Sequence, residues 1–293
     1  MQEMRFDGQV ALVTGSGSGI GRNHAVELAQ RGAHVMINDI GVGPDGVPTA
    51  KALAEMLQAE GLSAHFSTAS VAVEDEARGM VEETVSHFGR IDLLVNNAGN
   101  TDGKTVEALT TAELRNVMDV HLFGSFWCLQ QALGHMRRQD FGRIVNTSSA
   151  LGLFGSADYA AYVMAKSALL GLTRATALGN KDKDILVNSL APIALTPLSE
   201  PYFKATLPHL DLSQLTARNV TPAVLYMLSR QCRINGETLS VGGGRLARVF
   251  TATAPGYKPG ELLAEEIDAN LDVVRSTEGF EIPERSIDQY RFL

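Results

Sequence analysis

Short apolar runs alternate with stretches of helical periodicity along most of this chain. QVALVT, HVMIND, SAHFST, IDLLVN, RIVNTS, ILVNSL and ETLSV read as seven buried strands. Between them, residues 20–31, 49–60, 74–88, 111–138, 158–180 and 222–230 repeat apolar side chains three and four positions apart, as one face of a helix does. Strands separated by helices need crossover connections. The pattern therefore predicts an α/β fold, a doubly wound Rossmann-type parallel sheet of seven strands with helices on both faces. The alternation stops near Gly244. Beyond it, RLARVFTATAPGYKPGELLAEEIDANLDVVRS carries one further amphipathic helix near 259–275, followed by a polar tail. A stretch of about 50 residues makes a poor core alone. The expected division is one domain over 1–245 and a C-terminal extension over 246–293.

Composition removes several classes of function. Of 293 residues, 45% are hydrophobic and 20% charged, ordinary globular values. A net charge of -8 argues against nucleic acid, whose backbone calls for basic patches. Cys128 and Cys232 are too few for a disulfide framework and lack metal-ligand spacing, so no metal is expected. Sequons at Asn146 and Asn219 read as chance, since the first lies in an apolar run. No apolar run approaches the ~20 residues of a membrane span. MQEMRFDGQVALVTG reaches its strand with no leader pattern, and the closing RFL is not a peroxisomal SKL address. The expectation is a cytoplasmic protein acting on a small molecule.

VTGSGSGIGR follows the first strand and opens the first helix. Gly15, Gly17, Gly19 and Gly21 let the backbone turn sharply and approach a pyrophosphate, which then meets the free N–H groups of a helix N-terminus. A bare glycine pattern is weak evidence and equally describes a tight turn without a ligand. Here it has a strand before it, a helix after it and Asp39 about 18 positions on, the context of a dinucleotide site. A carboxylate at Asp39 accepts bonds from ribose hydroxyls and repels a 2'-phosphate, and Ser18 adds no positive charge, so the expected cofactor is NAD. The plainer reading of Asp39 is a turn residue before GVG.

DYAAYVMAK places Tyr159 and Tyr162 seven and four residues before Lys166, roughly on one helix face. Taken alone, such a pair is more often a helix surface than a site. If it is a site, periodicity leaves open which phenol works.

The glycine spacing, NNAG at Asn96–Gly99, Ser149 thirteen residues before Tyr162, and Lys166 four after it together resemble the short-chain dehydrogenase/reductase family. The resemblance covers about residues 5–245. RFDGQVALVTG, INDIG, FGRIDLLVNNAG, DVHLFGSF and GRIVNTSSALGLFG are most similar to the (3R)-hydroxyacyl-CoA dehydrogenase part of peroxisomal multifunctional enzymes of type two. The resemblance implies that Tyr162 is the catalytic acid-base, that Ser149 rather than Ser148 holds the reacting oxygen, and that Tyr159 lines the substrate side or packs. A phenol with a pKa near ~10 is a poor base at neutral pH, and the Lys166 cation and the positive nicotinamide are expected to lower it. Cofactor contacts are implied from Gly15, Ser18, Gly19, Ile20 and Gly21, from Asp39, Ser70 and Val71, from Asn97, Ala98 and Gly99, and from Tyr162, Lys166, Pro192 and Thr196.

Three positions depart from the family pattern. His121 stands where many members have an asparagine that supports a water linked to the lysine; a histidine there either joins the relay or simply packs. Ile193 replaces a glycine after Pro192, and Ser70 replaces an aspartate near adenine. The implied activity is NAD-dependent interconversion of a secondary alcohol and a ketone, preferably a 3-hydroxyacyl-CoA thioester, with a hydroxysteroid or another bulky cyclic alcohol as the alternative. A non-catalytic dinucleotide sensor is the rival from another class; the retained Ser149, Tyr162 and Lys166 argue against it. LTPLSEPYFKATLPHLDL is expected to form the substrate loop, with Leu198, Tyr202, Phe203 and Leu207 as an apolar lid and Lys204 or Arg218 able to meet a CoA phosphate. Family members commonly assemble, so a homo-oligomer, dimer or tetramer, is expected on the helices at 111–138 and 158–180, where FWCLQQAL is unusually apolar.

Overall fold

In β1 (Val10–Val13), Ala11 and Val13 face one apolar cluster while Leu12 faces another. β2 (His34–Asn38) divides in the same way, Val35 and Ile37 against Met36, and β4 (Leu93–Asn96) sends Leu93 and Val95 to one side and Leu94 to the other. Alternate side chains thus bury on opposite faces, and a strand buried on both faces reads as a continuous apolar run. This computed structural model describes residues 3–101, 103–196, 199–206 and 212–292.

β3 is Ala64–Ser67, β5 Phe141–Thr147, β6 Asp184–Pro192 and β7 Thr238–Gly242. The sheet order is β3-β2-β1-β4-β5-β6-β7, with parallel pairing throughout these seven. Helices α1 (Gly19–Gln30), α2 (Thr49–Ala59) and α9 (Thr221–Leu228) pack on one face. The other carries α3 (Glu74–Phe88), α5 (Gly124–Gln139) and α7 (Ala160–Leu178). The doubly wound architecture is as expected, with one addition. β8 (Arg245–Val249) joins the β7 edge after Gly243 and Gly244, whose φ values are 56° and 78°. Two successive left-handed residues make the tight turn of a hairpin, and Gly-Gly before RLARV was its signal in the sequence.

The predicted helix over 111–138 forms with a change of winding inside it. α4 (Thr111–Met118) opens on a capping box between Thr110 and Glu113, and α5 closes the run. Between them Asp119–Phe123 winds as a π-helix, a local expansion that recurs at functional positions. Cys128, Leu129, Ala132 and Met136 turn toward the chain's own core, so the apolar FWCLQQAL stretch is largely absorbed there. α6 is Ala150–Phe154 and α8 is Glu200–Thr206.

The chain divides into two compact units, Met1–Arg248 and Val249–Leu293. In the second, Thr253 and Glu281 exchange main-chain bonds of 3.0 and 2.9 Å, and Phe250 stacks on Phe280 at 6.2 Å. The single helix expected near 259–275 is instead two short ones, α10 (Ala264–Ile267) and α11 (Leu271–Arg275), joined by a 3-10 turn. None of its described residues is buried. Among the described residues of the chain, no helix is long and apolar enough to cross a membrane.

Candidate active site

Gly15 follows β1, Asp39 follows β2, Asn97 follows β4, Ser148 and Ser149 follow β5, and Ile193 follows β6. In a parallel sheet these carboxyl ends share one edge, and the strand order reverses between β1 and β4, where such folds open a crevice. A cavity of about 980 Å³ lies there. Gly15, Ser18, Gly19, Ile20, Asp39, Ser70, Val71, Asn97, Ala98, Gly99, His121, Ser149, Tyr162, Lys166, Pro192 and Thr196 all line it. Gly21 stays behind the wall.

At one end the wall is main chain. Gly15 has φ 61°, and a Cβ there would stand 2.6 Å from Ala98 Cα. A Cβ on Gly21 would overlap Asn97 Nδ2 and the Gly15 carbonyl. The two motifs are bonded together at this contact. Asn97 Nδ2 donates to the Thr14 and Gly15 carbonyls at 2.9 Å each, and Thr14 Oγ1 accepts the N–H groups of Asn97 and Ala98 at 3.0 Å each. The Asn97 amide is thus committed to joining the two loops. Asp39 accepts N–H bonds from Gly17 at 2.9 Å and Gly41 at 2.7 Å, which fixes its carboxylate in the wall. Ser18 lends α1 no side-chain cap, so the dipole of that helix end is left for a ligand. Glycines that admit close approach, an uncapped helix N-terminus and an oriented carboxylate fit a dinucleotide.

Neighbouring residues have local work as well. Ser70 accepts the Ala72 N–H at 3.2 Å and gives its own N–H to Glu76 at 2.6 Å; Glu76 is an acidic neighbour that the sequence did not single out. The Thr196 hydroxyl meets Ser199 Oγ at 3.0 Å, and Ser199 Oγ donates to the Ala194 carbonyl at 2.7 Å. Ile193 keeps a sheet-like bond to the Val241 carbonyl at 2.7 Å, so the missing glycine leaves the strand end in register.

At the middle of the cavity Ser149 hydrogen-bonds Tyr162, while its neighbour Ser148 turns away and donates to the Lys166 carbonyl at 2.8 Å. Lys166 is 3% exposed and its Nζ donates to the Thr147 carbonyl at 2.5 Å. Nζ also stands 5.4 Å from the centre of the Tyr162 ring. Burial lowers the Lys166 pKa to about 7. Burial also raises that of Tyr162, with the Ser149 bond opposing. For Tyr162, then, burial and the Ser149 bond act in opposite directions, with burial the larger.

His121 sits in the π-helical turn, edge-on to the Tyr162 ring with centroids 5.2 Å apart. Its Nε2 lies 2.7 Å from the Asn100 carbonyl and 3.1 Å from the Asn100 N–H. Burial first, and then the Lys166 charge, hold it neutral, its pKa well below the ordinary value. Its Nδ1 is buried without a partner. A Cβ on Gly99 would be 2.5 Å from His121 Cε1, so the last glycine of NNAG is what seats the ring.

The far end is aromatic, with Tyr159, Tyr202 and Phe203 in the wall. Leu198 and Leu207 lie outside the described residues. Lys204 pairs with Glu200 at 2.6 Å, and Arg218 is exposed away from the wall.

A model of the short chain dehydrogenase family matches residues 9–205. The peroxisomal multifunctional enzyme type 2 of Drosophila melanogaster is 32% identical over 256 residues, which cover 87% of this chain and 42% of that protein. A 3-oxoacyl-[acyl-carrier-protein] reductase of Staphylococcus aureus is 35% identical over 241 residues, 80% of this chain and 96% of the relative. A crystal structure of a short chain dehydrogenase from Mycobacterium avium superposes with a TM-score of 0.81 at 32% identity, covering 92% of this chain and 97% of that one. The chain spans less than half the length of the Drosophila relative.

Proposed function

Since this chain belongs to the short-chain dehydrogenase family, oxidoreductases that use nicotinamide dinucleotides, we propose that it interconverts a secondary alcohol and its ketone with NAD, acting on a 3-hydroxyacyl thioester. One observation carries the reading. Ser149, hydrogen-bonded to Tyr162, and the buried Lys166 face the same cavity as the glycine loop and Asp39.

When bound, the dinucleotide supplies the hydride acceptor or donor. The protein's part is to hold the substrate oxygen and move a proton. Ser149 Oγ fixes the oxygen beside the Tyr162 hydroxyl, converting an encounter into a positioned reaction. In ketone reduction Tyr162 gives its proton to the carbonyl oxygen; in alcohol oxidation its oxygen takes the hydroxyl proton. Burial keeps the phenol protonated, which suits the first direction, and a charged Lys166 lowers the cost of the second. His121, neutral and with a free Nδ1, is read as a relay position behind the lysine.

Two features support NAD over NADP. Asp39 holds a carboxylate in the wall that would repel a 2'-phosphate, and among the described residues of the wall Lys166 is the only Lys or Arg. The acyl substrate is supported by the Staphylococcus relative, named a 3-oxoacyl reductase. The aromatic far end also favours a second reading, a bulky cyclic ketone or hydroxysteroid. NADH and NADPH oxidation with a panel of 3-oxoacyl thioesters and cyclic ketones tests all of this together. NADH turnover of the thioesters is expected, and Asp39→Ala should narrow the NAD preference by about tenfold. Equal use of NADPH by the unaltered chain overturns the cofactor assignment. No turnover, with cofactor still bound, favours the sensing rival.

Assembly and location belong to the same reading. Phe123 and Met164 remain 43% and 41% exposed, on the π turn and α7, which supports a homo-oligomer built on these helices. Light scattering that reports monomer alone counts against it. The reading puts the enzyme in the cytoplasm and takes residues 246–293 as a C-terminal extension of the catalytic domain.

A further inference from the structure

Two non-glycine residues among those described have positive φ, Asp140 at 56° and Tyr159 at 67°. Asp140 ends α5, where a left-handed residue is ordinary. Tyr159 precedes α7, where the ordinary conformation is extended and the residue's side chain caps the helix. Tyr159 is left-handed and makes no capping bond. For a bulky aromatic residue that conformation is costly, so the surroundings must hold it there.

They do so on both sides. The next residue, Ala160, donates to the Lys104 carbonyl at 2.8 Å, and the Tyr159 carbonyl accepts the Val163 N–H at 2.8 Å. Its ring reaches the loop after β4, where a Cβ on Gly103 would stand 3.6 Å from Cε1. On its other side it meets Tyr202 of α8, centroids 5.8 Å apart and planes at 78°. That edge-to-face geometry is the favoured one for aromatic pairs. Tyr202 in turn packs on Phe203 at 5.8 Å, and all three rings line the cavity that holds Tyr162.

We propose that Tyr159 is a specificity-determining residue: its left-handed backbone holds its ring against Tyr202, and the paired rings form the wall on which the apolar arm of the substrate packs. This rests on the reading of the cavity as an alcohol–ketone active site, and it assigns the substrate's recognition to ring faces instead of to a charge. The ring, and not the hydroxyl, is the working part. Strain is retained at this position because the unstrained alternative would withdraw one of the two rings.

The test is a double-mutant cycle read as a preference. The kcat/KM for 3-oxodecanoyl-CoA over acetoacetyl-CoA is measured in the wild type, Tyr159→Ala, Tyr202→Ala, the double variant and Tyr159→Phe. A fused-ring ketone over cyclohexanone is the parallel pair. Tyr159→Ala should lower the preference by about tenfold or more, mainly through KM, since one lost apolar contact already changes discrimination on that scale. Tyr202→Ala should lower it similarly, and the double variant by no more than about twofold beyond the larger single, because the rings act as a unit. Tyr159→Phe should restore it. An equal fall in kcat for long and short substrates would mean that Tyr159 merely starts α7 correctly, and overturns the proposal. So do multiplicative losses in the double variant, or failure of Tyr159→Phe to rescue. Should Tyr159→Ala fail to fold, Tyr202→Ala alone decides, an unchanged preference overturning the proposal. Tyr162→Phe run beside them separates the two levels: if it turns over normally, the underlying site reading has failed, whatever the aromatic variants do. A wild type that reduces neither pair overturns the proposal with it.

Discussion

At its glycine-loop end the cavity wall is main chain, set by glycines whose positions would clash if they carried a Cβ, and tied by the Thr14–Asn97 bonds. At the other end the wall is side chain, three aromatic rings carried by the residue just before α7 and by α8. The difference is one of tolerance. A wall of backbone admits almost no substitution, because the space is already taken by another backbone. A wall of rings can be exchanged one side chain at a time, and the reaction centre between them need not move. One end is therefore suited to a fixed ligand and the other to a variable one.

The sharpest way to break this contrast is at the centre, which both ends serve. Tyr162→Phe should leave folding and dinucleotide affinity in place while turnover falls by about 10²–10⁴-fold, the usual worth of general acid-base catalysis. Single-turnover absorbance with a cofactor titration measures both. Normal turnover would show that the phenol between the two ends is idle.

The backbone end should fail differently. In Gly15→Ala the new Cβ meets Ala98 Cα at 2.6 Å, and alanine is strained at φ 61°. A loss of about 1–3 kcal/mol in stability is expected, together with at least about tenfold in dinucleotide affinity. Thermal melts with and without NAD check it. An unaltered Tm would mean that this wall is more pliable than its distances suggest.

The smallest effect sharpens the electrostatics of the centre. The Lys166 pKa falls from its ordinary 10.5 to about 7 in the folded chain. Below pH ~7 the fold must hold a buried charge. As pH rises from 7 toward 10.5 the unfolded chain binds more protons than the folded one, so stability rises over that window. Lys166→Met removes this dependence. Its unfolding free energy relative to the wild type should be higher at pH ~6.5 than at pH ~9.5, by on the order of 1 kcal/mol. A difference that does not change with pH would show that Lys166 stays charged throughout.

The sequence was legible where chemistry restricts residue type. Only glycine suits the loop at Gly15 and Gly21, and alternating runs such as QVALVT leave little choice but buried parallel strands. It was less legible where geometry is set by tertiary contact. The π turn around His121 has the same apolar spacing as a plain helix, so periodicity runs through it unmarked. The left-handed backbone of Tyr159 leaves no trace in composition, since nothing about tyrosine announces positive φ. Glu76 is one of three acids in the first turn of α3, and nothing in the pattern separates it from Glu74 and Asp75. β8 was announced by Gly243 and Gly244, but the helix–strand alternation that identified the other strands had ended there.

The strand order has a consequence in time. β1 lies in the sheet between β2 and β4, and its Ala11–Val13 register is with Leu93–Val95, roughly eighty residues downstream. A ribosome adding about 5–20 residues each second leaves that edge open for roughly 4–16 s. During this interval VALV, wholly apolar and destined for burial on both faces, is half paired and able to recruit any other extended chain. Slowing translation between β2 and β4 should therefore lower the soluble yield of this protein, and a chaperone that binds short apolar segments should restore it.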